Sequence, residues 1–279
     1  MRLLVCGVRG STPAPGPEFV RYGGNTSCVA VLADEDEAPR LVLDAGTGLA
    51  RLSRQLGGAP FVGTILLGHL HWDHTHGLPF FPAGNRAECE VDLLLPEQGE
   101  DAEELLGRAF SPPHFPIWPR QLGDGWSFGN VKEGEHEIEG FHVLALEIPH
   151  KGGRTFGYRI SDGTSSFAYL SDHSPVSFGP GPEGFGPYHE AALTLADGVD
   201  VLIHDAQHTA AEFPSRSFMG HSAVDYAVGL GREAGARRVL LFHHDPPRTD
   251  DELDAIVEAF RGSPVPVDAA AEGAVIALA

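Results

Sequence analysis

The run His69-Leu70-His71-Trp72-Asp73-His74 stands one glycine behind the apolar run Thr64-Ile65-Leu66-Leu67. A strand therefore delivers four polar side chains to the loop at its end. In an extended segment, side chains at i and i+2 point the same way. His69 and His71 can thus face one ion together, and a turn after Trp72 aims Asp73 and His74 at a neighbouring point. Imidazoles and a carboxylate in this set suit Zn²⁺, Fe or Mn²⁺. Four residues cannot fill two metal shells, so the fold must bring other strand ends to this one. Three candidates are visible: His150 closes Leu144–Pro149, Asp172 closes Phe167–Ser171, and His243 closes Val239–Phe242. Open α/β sheets gather polar residues at strand ends in this way.

The rest of the pattern agrees with such a sheet. Strands are expected at Leu3–Cys6, Ser27–Leu32, Leu41–Leu43, Val62–Leu67 and Val91–Leu95, then at Val143–Ile148, Thr155–Ile160, Phe167–Leu170, Val199–Ile203, Val239–Phe242 and Ala274–Leu278. Helical periodicity covers about 48–56, 101–109, 188–197, 222–235 and 250–260. Ser222 is a candidate cap for the fourth helix, and Thr249 or Asp250 for the fifth. Strands and helices interleave throughout, which predicts a layered α/β architecture. Two segments, Ser111–Asp124 and Phe178–Pro187, are rich in Pro and Gly and read as loops.

Composition bounds the function. The formal net charge of −20 repels phosphate backbones, so nucleic acid is an unlikely partner and a small substrate is expected. Only Lys132 and Lys151 supply lysine. The three cysteines, Cys6, Cys28 and Cys89, have no paired spacing and read as reduced thiols of a cytoplasmic protein. No signal peptide and no membrane partner are expected, because no apolar run approaches about 18 residues.

With these residues in view, the sequence resembles the metallo-β-lactamase superfamily over nearly its whole length. It is most similar to the branch containing ribonuclease Z and related phosphodiesterases. The family's H-x-H-x-D-H motif matches His69, His71, Asp73 and His74. A further family histidine matches His150 ahead of Gly157-Tyr158-Arg159-Ile160, the bridging aspartate matches Asp172, and the final histidine matches His243. The resemblance implies one domain over 1–279, a four-layer αββα sandwich, and two divalent metal ions, zinc first, with Mn or Fe as alternatives. It implies one ion on His69, His71, His150 and Asp172, and the other on Asp73, His74, His243 and the shared Asp172. His244 is the rival for His243. Asp44, in Asp44-Ala45-Gly46-Thr47-Gly48, either holds a ligand histidine or only fixes its turn.

Two further motifs of the branch resemble His204-Asp205-Ala206, with Asp in place of Glu, and Gly220-His221-Ser222. The resemblance implies that Asp205 orients His221, which protonates the leaving group or binds phosphate, while Asp73 orients the attacking water and takes its proton. The basic arm that ribonuclease Z uses for tRNA is missing. The expected activity is therefore phosphodiester hydrolysis of a small substrate such as a cyclic nucleotide. The alternatives are a thioester, lactone or sulfate ester hydrolase on the same scaffold, or, more remotely, a di-iron redox or binding module. The redox relatives carry a glutamate in the first motif, where this chain has Trp72. A homodimer is possible by analogy. Trp72, Phe80, Phe81, Phe110, His114, Phe115 and Phe218 are candidates for lining the entrance, where a nucleobase or acyl chain stacks. Arg21 and Arg216 are candidate phosphate contacts, with surface roles as the competing expectation.

Overall fold

A computed structural model describes residues 1–278. The first half lays down β1 (Arg2–Gly7), β2 (Cys28–Leu32), β3 (Leu41–Leu43), β4 (Val62–Leu66), β5 (Glu90–Pro96) and β6 (Trp126–Val131). The second half gives β7 (Gly134–Ile138), β8 (Phe141–Ile148), β9 (Thr155–Ser161), β10 (Ser166–Leu170), β11 (Val201–Asp205), β12 (Val239–Phe242), β13 (Val267–Ala269) and β14 (Val275–Ala277). The helices are α1 (Leu49–Gln55), α2 (Trp72–Thr75), α3 (Ala102–Ala109), α4 (Glu190–Ala196), α5 (Phe213–Arg216), α6 (Val224–Glu233) and α7 (Asp250–Ala259).

Two seven-stranded mixed sheets form, ordered β14-β1-β2-β3-β4-β5-β6 and β13-β12-β11-β10-β9-β8-β7. Their inner faces meet in one core. Val5, Val31, Leu43 and Leu66 come from one sheet, and Tyr158, Ile160, Phe167, Ile203 and Phe242 from the other. Each such side chain contributes roughly 1.5–3 kcal/mol on full burial. On the outer face of the first sheet, Leu49 and Leu52 of α1 and Leu106 of α3 pack with Ile65 and Leu93. On the outer face of the second, Leu195 of α4 and Tyr226 and Leu230 of α6 pack with Leu170, Leu202 and Leu241. The order helix, sheet, sheet, helix explains why β1 to β3 read as unbroken apolar runs: both faces are covered.

Strand direction decides where the site lies. β10, β11 and β12 run parallel, and β8 points the same way as β10 because both are antiparallel to β9. Their C-terminal ends therefore share one edge. β3 and β4 are likewise parallel in the facing sheet.

Several expectations need correction. The strands β6, β7 and β13 were not expected. β6 and β7 are edge strands of mixed polarity, Trp-Ser-Phe-Gly-Asn-Val and Gly-Glu-His-Glu-Ile, and three-residue β13 is too short to show a period. Ser222 does not cap α6. Ala223 holds that position, and Ser222 Oγ donates instead to the His173 carbonyl (2.5 Å). Thr249 does cap α7, in a reciprocal box with Glu252. The three cysteines are buried and free. Among the described residues no helix is long and apolar enough to cross a membrane.

Candidate active site

The strand ends converge as their directions require. Asp44 follows β3, the His69 to His74 run follows β4, His150 follows β8, Asp172 follows β10, Asp205 ends β11 and His243 follows β12. Asp44, Asp172 and His243 each leave their strand in the left-handed region, with φ of 60°, 56° and 57°. That conformation costs a non-glycine residue about 1–3 kcal/mol, and such strain clusters at functional sites. Here it turns the side chain sharply off the sheet edge. The turn expected after Trp72 starts one residue earlier, as the short helix α2.

Two overlapping groups of donors result. His69, His71, His150 and Asp172 form one, and Asp73, His74, Asp172 and His243 the other. Asp172 splits its oxygens between them. Its Oδ1 lies 3.7 Å from His69 Nε2 and 3.5 Å from His150 Nε2. Its Oδ2 lies 2.8 Å from His74 Nε2 and 3.1 Å from His243 Nε2. Asp73 Oδ2 completes the second group, 3.3 Å from His74 Nε2 and 3.1 Å from His243 Nε2. Two ligands about 2.1 Å from one tetrahedral ion lie roughly 3.4 Å apart, so these spacings suit a shared cation.

The hydrogen bonds fix which nitrogens face the site. His74 Nδ1 must donate to Asp44 Oδ2 (2.7 Å), since a carboxylate only accepts. His150 Nδ1 donates to the Gly220 carbonyl (2.7 Å). Both rings therefore turn their Nε2 toward the carboxylates of the site. His150 Nε2 faces His71 Nδ1 at 3.3 Å. His69 Nε2 and His74 Nε2 are buried with no hydrogen-bond partner. Buried ring nitrogens converging on carboxylate oxygens form a donor set that a divalent cation satisfies by taking the place of any ring proton. Gly10 leaves room for this packing: a Cβ there would stand 2.4 Å from the His243 ring.

The electrostatics divide the histidines. Burial, with neighbouring imidazoles, holds His69 well below its ordinary value, and burial pushes His150 down to about 4. These rings are neutral and free to coordinate. Burial also opposes charge on His74, but Asp172, Asp44 and Asp73 outweigh it and raise that ring. The same three carboxylates would stabilise a cation at its Nε2.

His221 is different. Its Nδ1 lies 2.8 Å from Asp205 Oδ2, and the pair is almost fully buried. Burial opposes protonation, yet Asp205 lifts the ring to about 9. Asp205 is fixed in turn by the Gln207 N–H (3.0 Å). His221 also sits 3.6 Å from Asp172 Oδ1 and could be grouped with the donors. We place no ion on it, because the nitrogen nearest Asp172 is Nδ1, the one Asp205 already occupies, whereas His74 turns its other nitrogen to Asp172.

Asp44 plays both expected parts. It accepts from His74 and Tyr169 Oη (2.6 Å) and also from the Gly68 N–H (2.7 Å). His243 lies in the site, whereas His244 Nε2 binds the Ala270 carbonyl (2.9 Å). Phe81 is fully buried in the core and does not line the entrance, because it follows a short 3-10 turn that points it inward. Phe218 lines neither cavity at the site; its ring lies near the ammonium of Lys151, the residue after His150. Arg21 is occupied by Asp251 and Asp254, and Arg216 by Asp245 (2.5 Å). Two site residues went unread in the sequence. Ser11, with φ 58°, donates its N–H to Asp73 Oδ2 (2.7 Å), and Gln207 Nε2 donates to Ser11 Oγ (3.2 Å). Ser11 follows β1, so the strand-end rule could have flagged it. Gln207 carries no such signal.

Comparison with known proteins agrees with this geometry. The Beta-lactamase superfamily domain matches residues 39–244. Ribonuclease Z from Natronomonas pharaonis is 24% identical over 90% of this chain and 87% of that protein. The metallo-beta-lactamase fold protein YhfI from Bacillus subtilis superposes with a TM-score of 0.72 at 19% identity, covering 99% of this chain and 98% of that one. A diphosphatase from the PhnP family superposes with a TM-score of 0.71 at 18% identity, covering 99% and 97%. The two-sheet sandwich with its donors on one edge is thus the metallo-β-lactamase fold, and this chain belongs to the beta-lactamase superfamily as a metal-dependent hydrolase.

Proposed function

We propose that this chain is a dinuclear phosphodiesterase acting on a small phosphodiester such as a cyclic nucleotide. His69, His71, His150 and Asp172 would hold one divalent ion, and Asp73, His74, His243 and Asp172 the other, with zinc the first choice and Mn or Fe compatible with the same donors. The observation that carries the reading is the buried Asp205–His221 pair beside Asp172. An ester whose leaving group is an alkoxide needs a proton donor, and a histidine held as imidazolium by a carboxylate is one.

When bound, the ions would supply a nucleophilic water at neutral pH and a counter-charge for the phosphoryl oxygens. Asp73 lines the cavity, its Oδ2 anchored by the Ser11 N–H, and its carboxylate takes the proton of the attacking water. His221 lines the same cavity, of about 370 Å³, and delivers its proton to the departing oxygen. Asp205 keeps that ring oriented and charged. Ribonuclease Z by name acts on RNA. For this chain the net charge of −20 favours a small substrate, since a polyanion is repelled by a protein of that overall charge.

Metal-dependent turnover of bis(p-nitrophenyl) phosphate and of cyclic nucleotides, with Zn²⁺ and Mn²⁺ supplied separately, tests the reading. No turnover of any phosphodiester sinks it. Ester or thioester hydrolysis that survives His221→Ala would move the activity to another substrate class on the same scaffold.

A further inference from the structure

Beside the site lies a second, larger cavity of about 560 Å³ that the hydrolytic residues do not use. Its walls include Trp72, Phe80, Phe110 and Phe115. Trp72 also lines the cavity holding His71, Asp73, Asp172 and His221, so one indole is the common wall of both. Trp72 and Phe80 remain 66% and 63% exposed on a strongly acidic protein. Large aromatic side chains left uncovered next to a polar site mark a binding surface. Phe115 presents its ring edge-on to Phe80 (5.8 Å, 88°) and to Phe110 (6.0 Å, 84°), which holds the aromatic wall in a fixed geometry.

We propose that this recess binds the nucleobase of the substrate, an inference that rests on the phosphodiesterase reading and names its substrate class. Flat π-faced groups gain from stacking on aromatic walls beyond the area they bury. An alkyl chain would gain only the area. Thr75 and His114, also at the lining, offer polar groups to the edge of a base. Continuity through Trp72 places the recess where one ester arm of a phosphodiester would extend when its phosphorus sits at the histidine–aspartate cluster.

Three esters with a common p-nitrophenolate leaving group test this on the zinc-loaded protein: thymidine 5′-p-nitrophenyl phosphate, hexyl p-nitrophenyl phosphate and methyl p-nitrophenyl phosphate. The thymidine ester is expected to be preferred. Phe80→Ala and Phe115→Ala should each lower its kcat/KM roughly tenfold, mainly through KM, as loss of one stacking partner does. The methyl ester should change less than about twofold, and Phe80→Tyr should keep the preference, since a phenol ring still stacks. The proposal is overturned if the hexyl ester matches the thymidine ester and falls with it, or if all three esters fall alike or none falls. If no ester turns over, the phosphodiesterase reading fails by itself. The recess is then read by calorimetric titration with AMP, where binding weakened by Phe80→Ala supports it and absence of binding refutes it.

Discussion

The molecule holds two histidine clusters on neighbouring strand ends, and they are built on opposite principles. In the first, seven His and Asp side chains converge, with Asp172 facing both halves and with His69 Nε2 and His74 Nε2 left unpartnered. In the second, His173, His189 and His204 contact one another with no carboxylate among them. His204 Nδ1 donates to the Asp205 carbonyl (2.7 Å), so its Nε2 accepts from His173 Nδ1 (2.8 Å), and His173 Nε2 in turn accepts from His189 Nε2 (2.7 Å). Every inner nitrogen is satisfied by the next ring. Burial holds His173 well below its ordinary value and pushes His189 to about 4, so the chain is neutral. Histidines contact one another in both places. What separates a candidate metal centre from a structural chain is carboxylate charge and buried ring nitrogens without a hydrogen-bond partner.

The comparison breaks first at Asp172. Asp172→Asn removes the one charge common to both donor groups. Metal content measured by mass spectrometry should fall from two equivalents to one or none, and turnover should fall by more than about 100-fold, the upper end for a merely supporting residue. Retention of two equivalents at full activity would show that Asp172 bridges nothing. The next effect is selective. Asp205→Asn and His221→Ala should each slow hydrolysis of a cyclic nucleotide by about 10²-fold or more, because its alkoxide leaves with a proton. On bis(p-nitrophenyl) phosphate, whose phenolate leaves unaided, the loss should stay under about tenfold. The double variant should be no slower than the worse single one, since the two residues act as a unit.

Much of this was legible in the sequence, for a physical reason. A polar residue that ends an apolar run is placed by the sheet, and parallel strands end together, so His150, Asp172 and the His243-His244 pair could be singled out as candidates from their positions. The choice between His243 and His244 was not legible. It turns on a left-handed φ at His243 that aims one ring inward and sends the next to Ala270. Phe81 misled because aromatic residues in loops look alike until packing buries one of them. The edge strands β6 and β7 were invisible because half-exposed pairing needs no apolar period. The His173 chain was equally hidden: its members come from the end of β10, the start of α4 and β11, and only the packing of these elements brings them together.

Asp44 lies between these extremes and sharpens the comparison. It touches no substrate but fixes His74 Nδ1, Tyr169 and the Gly68 N–H together. Asp44→Asn keeps the shape and loses the charge that orients His74. Metal affinity, read by competition with a chromophoric chelator, should weaken about 10- to 100-fold, as for other residues that support a ligand from behind. An unchanged affinity would reduce Asp44 to its turn.

The smallest effect should come from the second cluster. His189→Ala takes the donor away from His173 Nε2, a nitrogen inside the protein, and an unpaired buried acceptor costs about 1–3 kcal/mol. His189 is itself half-buried, so water can reach part of the gap and the lower end of that range is expected. The urea midpoint should drop accordingly, and His189→Gln, which keeps an N–H donor, should recover part of the loss. Metal content and kcat should stay at the wild-type level in both variants. If either variant instead loses a metal equivalent, the second cluster is coupled to the first through Asp172 and Asp205, the immediate neighbours of His173 and His204, and the distinction between the two clusters fails.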